Sequence, residues 1–157
     1  MYKIKNTHNI TSKQKGGKNM KKKIILATLL IFLILGTAYA TTVDDFKAPN
    51  GWENKGHGTF FGPNLGESLN VMEYTDENVK DFIDNDFVTI QKDSSTNIMT
   101  YKDSDLKQHG VMEVIEVGGS KFIVQSGAGE QSTTTDDALL ATLNNFNQVN
   151  NVKPIAT

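Results

Sequence analysis

The sequence predicts an α+β domain: an antiparallel sheet of about six or seven strands with two amphipathic helices packed on it, preceded by an N-terminal hydrophobic signal helix. Three observations carry this reading. Short runs with alternating apolar residues recur between turn residues from position 46 onward. In two places the apolar period lengthens to three or four, each time behind a Thr followed by acids. The connections between strand-like runs are mostly hairpin-length, which joins neighbours antiparallel.

The leader comes first. Met20-Lys21-Lys22-Lys23 opens a basic region, Ile24 to Leu35 is unbroken apolar or small, and Ala38-Tyr39-Ala40 is a small-x-small cleavage site. That three-part pattern is a secretory signal peptide spanning 20–40. The alternative is a membrane anchor: residues 24–40 sit at the short limit for a span, and Gly36 and Thr37 break their end. Residues 1–19 are polar and rich in Lys. Lys15 to Asn19 can be encoded by a ribosome-binding site ahead of Met20, so translation is expected to start at Met20. A long cytoplasmic n-region is the other reading. Residues 41–45 read as a spacer and 46–157 as one domain, secreted or held at the cell surface.

Within that domain, Phe46 to Ala48 reads as a first strand, stopped by Pro49-Asn50-Gly51. Lys55 to Gly58 is a turn. Thr59 to Phe61 and Ser68 to Tyr74 are strands around Gly62-Pro63-Asn64. Thr75 then caps a helix with Asp76 and Glu77 in its first turn and Val79, Phe82 and Ile83 on one stripe. Phe87 to Gln91 and Asn97 to Lys102 are strands. The clearest element is the hairpin Val111 to Ser126 around Gly118-Gly119, a two-residue loop suited to primed turns. Its register pairs Val117 with Ser120, Glu116 with Lys121, Ile115 with Phe122 and Val114 with Ile123. Gly127 to Thr134 reads as a loop. Thr135 caps the last helix, with Asp136 and Asp137 in its first turn and Leu139, Leu143 and Phe146 on its apolar stripe. Pro154 follows its end.

The opening F-x-x-P-x-G-W (Phe46, Pro49, Gly51, Trp52), the strand meander, the Val111 to Ser126 hairpin and the helix from Asp136 resemble the PsbP-like α/β sandwich. The run GVMEVIEVGGSKFIV also resembles small exported proteins of methane-producing archaea. The resemblance implies a sandwich fold and transfers no catalytic residue. With no Cys there is no lipobox, so the lipid anchor of lipoprotein relatives does not carry over.

Charge excludes further classes. All sixteen basic residues are Lys. Eight of them precede residue 24, whereas all eighteen acids follow residue 40, so residues 41–157 carry a net charge of −10. Without Arg or a basic cluster, nucleic acid is not an expected partner. Without Cys, disulfides, thiol redox and thiolate metal sites are excluded.

Candidate chemistry is sparse. His57 and His109 each neighbour Gly, which predicts turn positions, and neither lies in a metal-ligand spacing. Asp84-Asn85-Asp86 and Asp103-Ser104-Asp105 alternate oxygen ligands but lack the Gly and distal Glu of an EF-hand loop. No cofactor is expected, and calcium on Asp84, Asp86, Asp103 and Asp105 is the one metal left open. There is no G-x-S-x-G, and Gly127-Ala128-Gly129 lacks the third glycine of a phosphate loop. Trp52 is either an exposed binding platform or a cover folded over the core edge. The expected function is a non-enzymatic binding or accessory domain for a surface protein or cell-wall component, with membrane contact only through an uncleaved leader. The alternatives are a small hydrolase using a histidine with an acid, and a calcium-dependent surface module.

Overall fold

The computed structural model describes residues 40–157. The predicted leader, its cleavage and the Met20 start lie outside the described residues.

The Gly118-Gly119 hairpin forms the middle of the sheet. β6 (Gln108–Val117) and β7 (Ser120–Gly129) pair over their full length. Both glycines of the turn have positive φ, as a primed turn requires. The four predicted pairs all form. β7 runs three residues further than predicted, into Gly127 to Gly129. The other strands add on either side. β1 (Glu53–Gly56), β2 (Thr59–Phe61) and β3 (Glu67–Glu73) extend from β7, and β4 (Val88–Asp93) and β5 (Ile98–Asp103) extend from β6. The order is β1-β2-β3-β7-β6-β5-β4, antiparallel throughout. Seven strands among the described residues agree with the predicted class.

Alternation along the central strands divides the core in two. One face of the hairpin carries Val111, Ile115, Phe122 and Val124, against Leu139, Leu143 and Phe146 of helix α2 (Asp136–Asn150). The other face carries Met112, Val114 and Ile123. Val79 and Ile83 at helix α1 (Asp76–Phe82), together with Ile155, pack against it. Each helix begins on a threonine cap: Thr75 accepts from the Asn78 N–H and Thr135 from the Ala138 N–H. α2 ends at Asn151, whose φ of 53° lets its N–H reach back to the Asn147 and Gln148 carbonyls. The chain then runs beside the part of β6 that lies beyond its pairing with β5, where Ile155 N–H donates to the Val114 carbonyl at 2.7 Å.

Two predicted details change. Phe46 to Ala48 is not a strand. The Lys47 N–H donates to Asn150 Oδ1 at 2.7 Å, the Lys47 carbonyl accepts from Asn150 Nδ2, and the Asn50 N–H donates to Asn145 Oδ1. Asparagines of α2 thus take the backbone groups that a neighbouring strand would need. Phe46 is nevertheless in the core, edge-on to Phe122 with centroids 5.0 Å apart and 5.7 Å from Phe146. The first strand is instead Glu53–Gly56, a polar edge strand. Its sequence ENKG has no apolar residue to alternate, so periodicity cannot reveal it.

Gly110 marks a close approach rather than a turn. It sits inside β6 opposite Gly127, and a Cβ there would lie 2.1 Å from the Ser126 carbonyl oxygen and 2.8 Å from Gly127 Cα. Backbone atoms cannot yield. Gly110→Ala is therefore expected to lower stability in urea by about 2 kcal/mol or more. Gly129→Ala, which meets nothing within 4 Å, should change it by less than about 1 kcal/mol.

Candidate functional site

The sheet brings a row of polar residues together where α2 starts. Thr89 on β4 pairs with Lys102 on β5, and Lys102 pairs with His109 on β6. Paired residues share a sheet face, and this one is the α2 face. α2 packs on β6 and β7, leaving this face of β4 and β5 uncovered beside its first turn. A cleft of about 740 Å³ opens there, lined by Thr89, Lys102, Ser104, Lys107, His109, Glu130 and Asp136, among others.

His109 is a strand residue, not the turn residue expected from its glycine neighbour. Its Nδ1 lies 2.6 Å from Asp136 Oδ1. An ionised carboxylate only accepts, so Nδ1–H donates, and whenever the ring is neutral Nε2 is its acceptor. A carboxylate on one nitrogen fixes both tautomer and ring orientation, as in histidines that ligate or act as bases. Both side chains are partly buried. Lys107 Nζ and Glu130 Oε2 form an exposed pair at 3.5 Å on the cleft's rim. The Ser104 hydroxyl donates to the Phe87 carbonyl at 3.1 Å, so its proton is already engaged.

The remaining candidates disperse. His57 is at the tip of the β1–β2 hairpin with its side chain 94% exposed, its N–H donating to Asp44 Oδ1. Three strand spacings separate β2 from β6, roughly 14 Å, so His57 and His109 do not share a site. Trp52 is half-buried against the α2-face core. Its backbone N–H closes a turn onto the Pro49 carbonyl, with Gly51 at a φ of 82°. Such packing is what the core-edge reading expects. Gly62 lets it sit there: a Cβ on Gly62 would come within 2.9 Å of Trp52 Cζ2 and 2.5 Å of Glu67 Oε2.

The four aspartates lie at turns, and among them Asp103 is the one whose carboxylate accepts turn N–H groups. Asp103 Oδ1 accepts from the Asp105 and Leu106 N–H groups, both at 2.9 Å. Asp84 and Asp86 are exposed on either side of Asn85, whose own side chain bridges Asp81 and Phe87. Among the described residues, no three of His, Cys, Asp and Glu come together to hold a metal.

Two carboxylates escaped the sequence reading. Glu67 opens β3 and accepts from the Asn64 N–H, Asn64 Nδ2 and the Thr134 hydroxyl, tying the β2–β3 turn to the loop before α2. Burial pushes its carboxyl up, and these hydrogen bonds together pull it below the usual value. Glu113 lies wholly inside the α2-face core. Asp136 was visible only as an acid in a helix's first turn; nothing in the sequence pointed it at a residue 27 positions earlier.

No family model, curated protein or solved structure matches the chain.

Two outcomes follow from this geometry. Long-range proton–nitrogen NMR correlation is expected to show neutral His109 protonated on Nδ1, and Asp136→Ala should abolish that preference. Millimolar calcium should leave the melting temperature unchanged; a rise of more than about 2 °C would instead show calcium bound to the folded state.

Proposed function

We propose that the chain is an exported, non-enzymatic binding or accessory domain, acting at or outside the cell surface on a surface protein or wall component. One observation carries this reading. The ordered His109–Asp136 cleft and the domain's exposed apolar loops meet at one end of the sheet. The β2–β3, α1–β4 and β5–β6 connections all emerge where β6 begins. They carry Leu65, Phe87 and Leu106, which are 88%, 58% and 58% exposed. Leu65 and Leu106 line a hollow of about 420 Å³, and its rim shares Lys107 and Glu130 with the cleft. Large apolar side chains grouped at one end, beside orientated polar groups, suit a partner better than solvent.

The domain begins at the opposite end. Thr41 Oγ1 lies against the Gly118 turn, so the chain enters far from these loops. Among the described residues, no helix is long and apolar enough to cross a membrane. The PsbP-like likeness belongs to the same proposal, supported by the antiparallel sheet with a helix on each face and by Trp52 as the edge cover.

The hydrolase reading has its own support, since Ser104 lines the cleft beside the His109–Asp136 pair. Against it, the Ser104 proton goes to a backbone carbonyl, whereas an activated nucleophile gives its proton to the base.

A photo-crosslinking residue at Leu106 is expected to capture a specific component on intact cells, while one at Lys121 near the other end captures none. Equal capture from both positions, or only free protein, would overturn the proposal. A fluorophosphonate that labels Ser104 in the natural protein, but not in His109→Ala, would establish the hydrolase instead.

A further inference from the structure

Glu113 is the least expected residue in the core. It is 0% exposed on the α2 face of β6, directly opposite Val124 of β7. Its Oε2 accepts from Asn147 Nδ2 of α2 at 3.0 Å. Two oxygens of this pair are left over: neither Glu113 Oε1 nor Asn147 Oδ1 has a hydrogen-bond partner among the described residues. An ionised Glu113 would leave both as buried acceptors with no donor, each costing a substantial fraction of the protein's stability.

A single proton removes the mismatch. A carboxylic acid and a primary amide are complementary planar groups: the amide N–H donates to one acid oxygen, and the acid O–H donates to the amide oxygen. No cation is placed to stabilise the ionised form instead. On this face His109 and Asp136 lie four residues back along β6, with Lys102 beside His109 on β5. Glu67 is at the start of β3 and bound to Asn64 and Thr134. Asp137 of α2, Lys47 of the segment against α2 and Lys153 after it are all exposed. β7 contributes only uncharged groups to this face between Phe122 and Ala128.

We propose that Glu113 is a neutral acid in the folded protein, that it donates from Oε1 to Asn147 Oδ1, and that this two-bond pair is a pH-sensitive clamp seating α2 on β6. Losing the proton to solvent breaks one bond and leaves a buried charge, so the C-terminal half of α2 loosens. The clamp does not depend on what the cleft binds.

The direction of the pH dependence follows from burial, which pushes Glu113 from its ordinary 4.5 up to about 7, partly opposed by the Asn147 hydrogen bond. Between these values the unfolded chain gives up the proton while the folded protein keeps it, so stability falls as pH rises. Above about pH 7 both states are ionised and the loss is complete. The folding equilibrium constant should drop by roughly two to three powers of ten across this window. Glu67 acts oppositely and only in acid: its stabilisation fades as pH falls below 4.5.

Urea unfolding of the natural protein and Glu113→Gln from pH 4 to 8.5 separates the two groups. Gln preserves shape and can make both bonds to Asn147 without a titrating proton. The two proteins should match closely at pH 4. At pH 8.5 the variant should be the more stable by roughly 100-fold or more in the folding constant, with α2 amides beyond Leu143 exchanging at least about tenfold more slowly. Parallel curves at every pH would overturn the clamp. In the natural protein, carbon NMR should show the Glu113 carboxyl titrating above pH 6. Titration near 4.5 would overturn the proposal even if the variant failed to fold.

Discussion

Everything else in the domain is built on the β6–β7 pairing. Most of the residues from Gly110 to Ile115 and from Phe122 to Ala128 are buried on both faces. Both cores therefore draw on the same two strands, one from each parity of side chain. A one-residue slip would exchange the faces, sending Phe122 and Val124 toward α1 and Ile123 toward α2. The two-residue Gly118-Gly119 turn prevents it, because a primed turn fixes which residues face each other. Gly110 opposite Gly127 adds a second constraint, since a one-residue slip would set Gly110 against a residue with a Cβ, Ser126 or Ala128.

What the sequence made legible follows from how local each signal was. The hairpin register, both threonine caps and the α2 stripe depend on residues a few positions apart and appear where they were expected; on α1, Val79 and Ile83 pack against the core but Phe82 joins neither cluster. The misreadings involve partners far away in the chain. Phe46 to Ala48 has the composition of a strand, but the Lys47 backbone is claimed by Asn150, about a hundred positions later, and Asn145 takes the Asn50 N–H just beyond it. Glu53 to Gly56 is a strand only because β2 offers it an edge. His109 looked like a turn residue because the glycine beside it was read as a loop marker rather than as a packing residue. Glu113 is different: the predicted register already placed it on the Phe122 side of the hairpin. Parity alone was enough to find a buried acid, and the signal lay unused because Glu is normally read as exposed.

The two faces also differ in character. The α1 face is closed by Met, Val and Ile, with Tyr101 as its largest side chain and Gln125 as its buried polar residue. The α2 face mixes an aromatic cluster of Phe46, Phe60, Phe122 and Phe146 with Glu113 and Ser126. An apolar contact resists separation but specifies position poorly, because it has no preferred direction. Directional pairs supply what the aromatics do not. Asn145 and Asn150 hold Asn50 and Lys47, Asn147 meets Glu113, and Asp136 meets His109. The asparagines of α2 are thus a set of positional contacts along a helix whose adhesion comes from Leu139, Leu143 and Phe146.

Two of those contacts set the helix's register on the sheet. Asp136 and Asn147 are eleven residues apart, close to three full turns, so they project from one side of α2. Their partners His109 and Glu113 are four apart on β6 and share a face. The helix spacing is about 16 Å and the strand spacing about 13 Å, similar enough for both pairs to form with α2 lying along β6. A single pair would leave the helix free to pivot, whereas two pairs at separated points fix its angle. The polar pair in the core and the pair in the cleft are consequently not independent features. Whatever loosens the Glu113 end removes one of the two constraints that hold Asp136 against His109, so the geometry of the cleft depends on a side chain no ligand in it could reach.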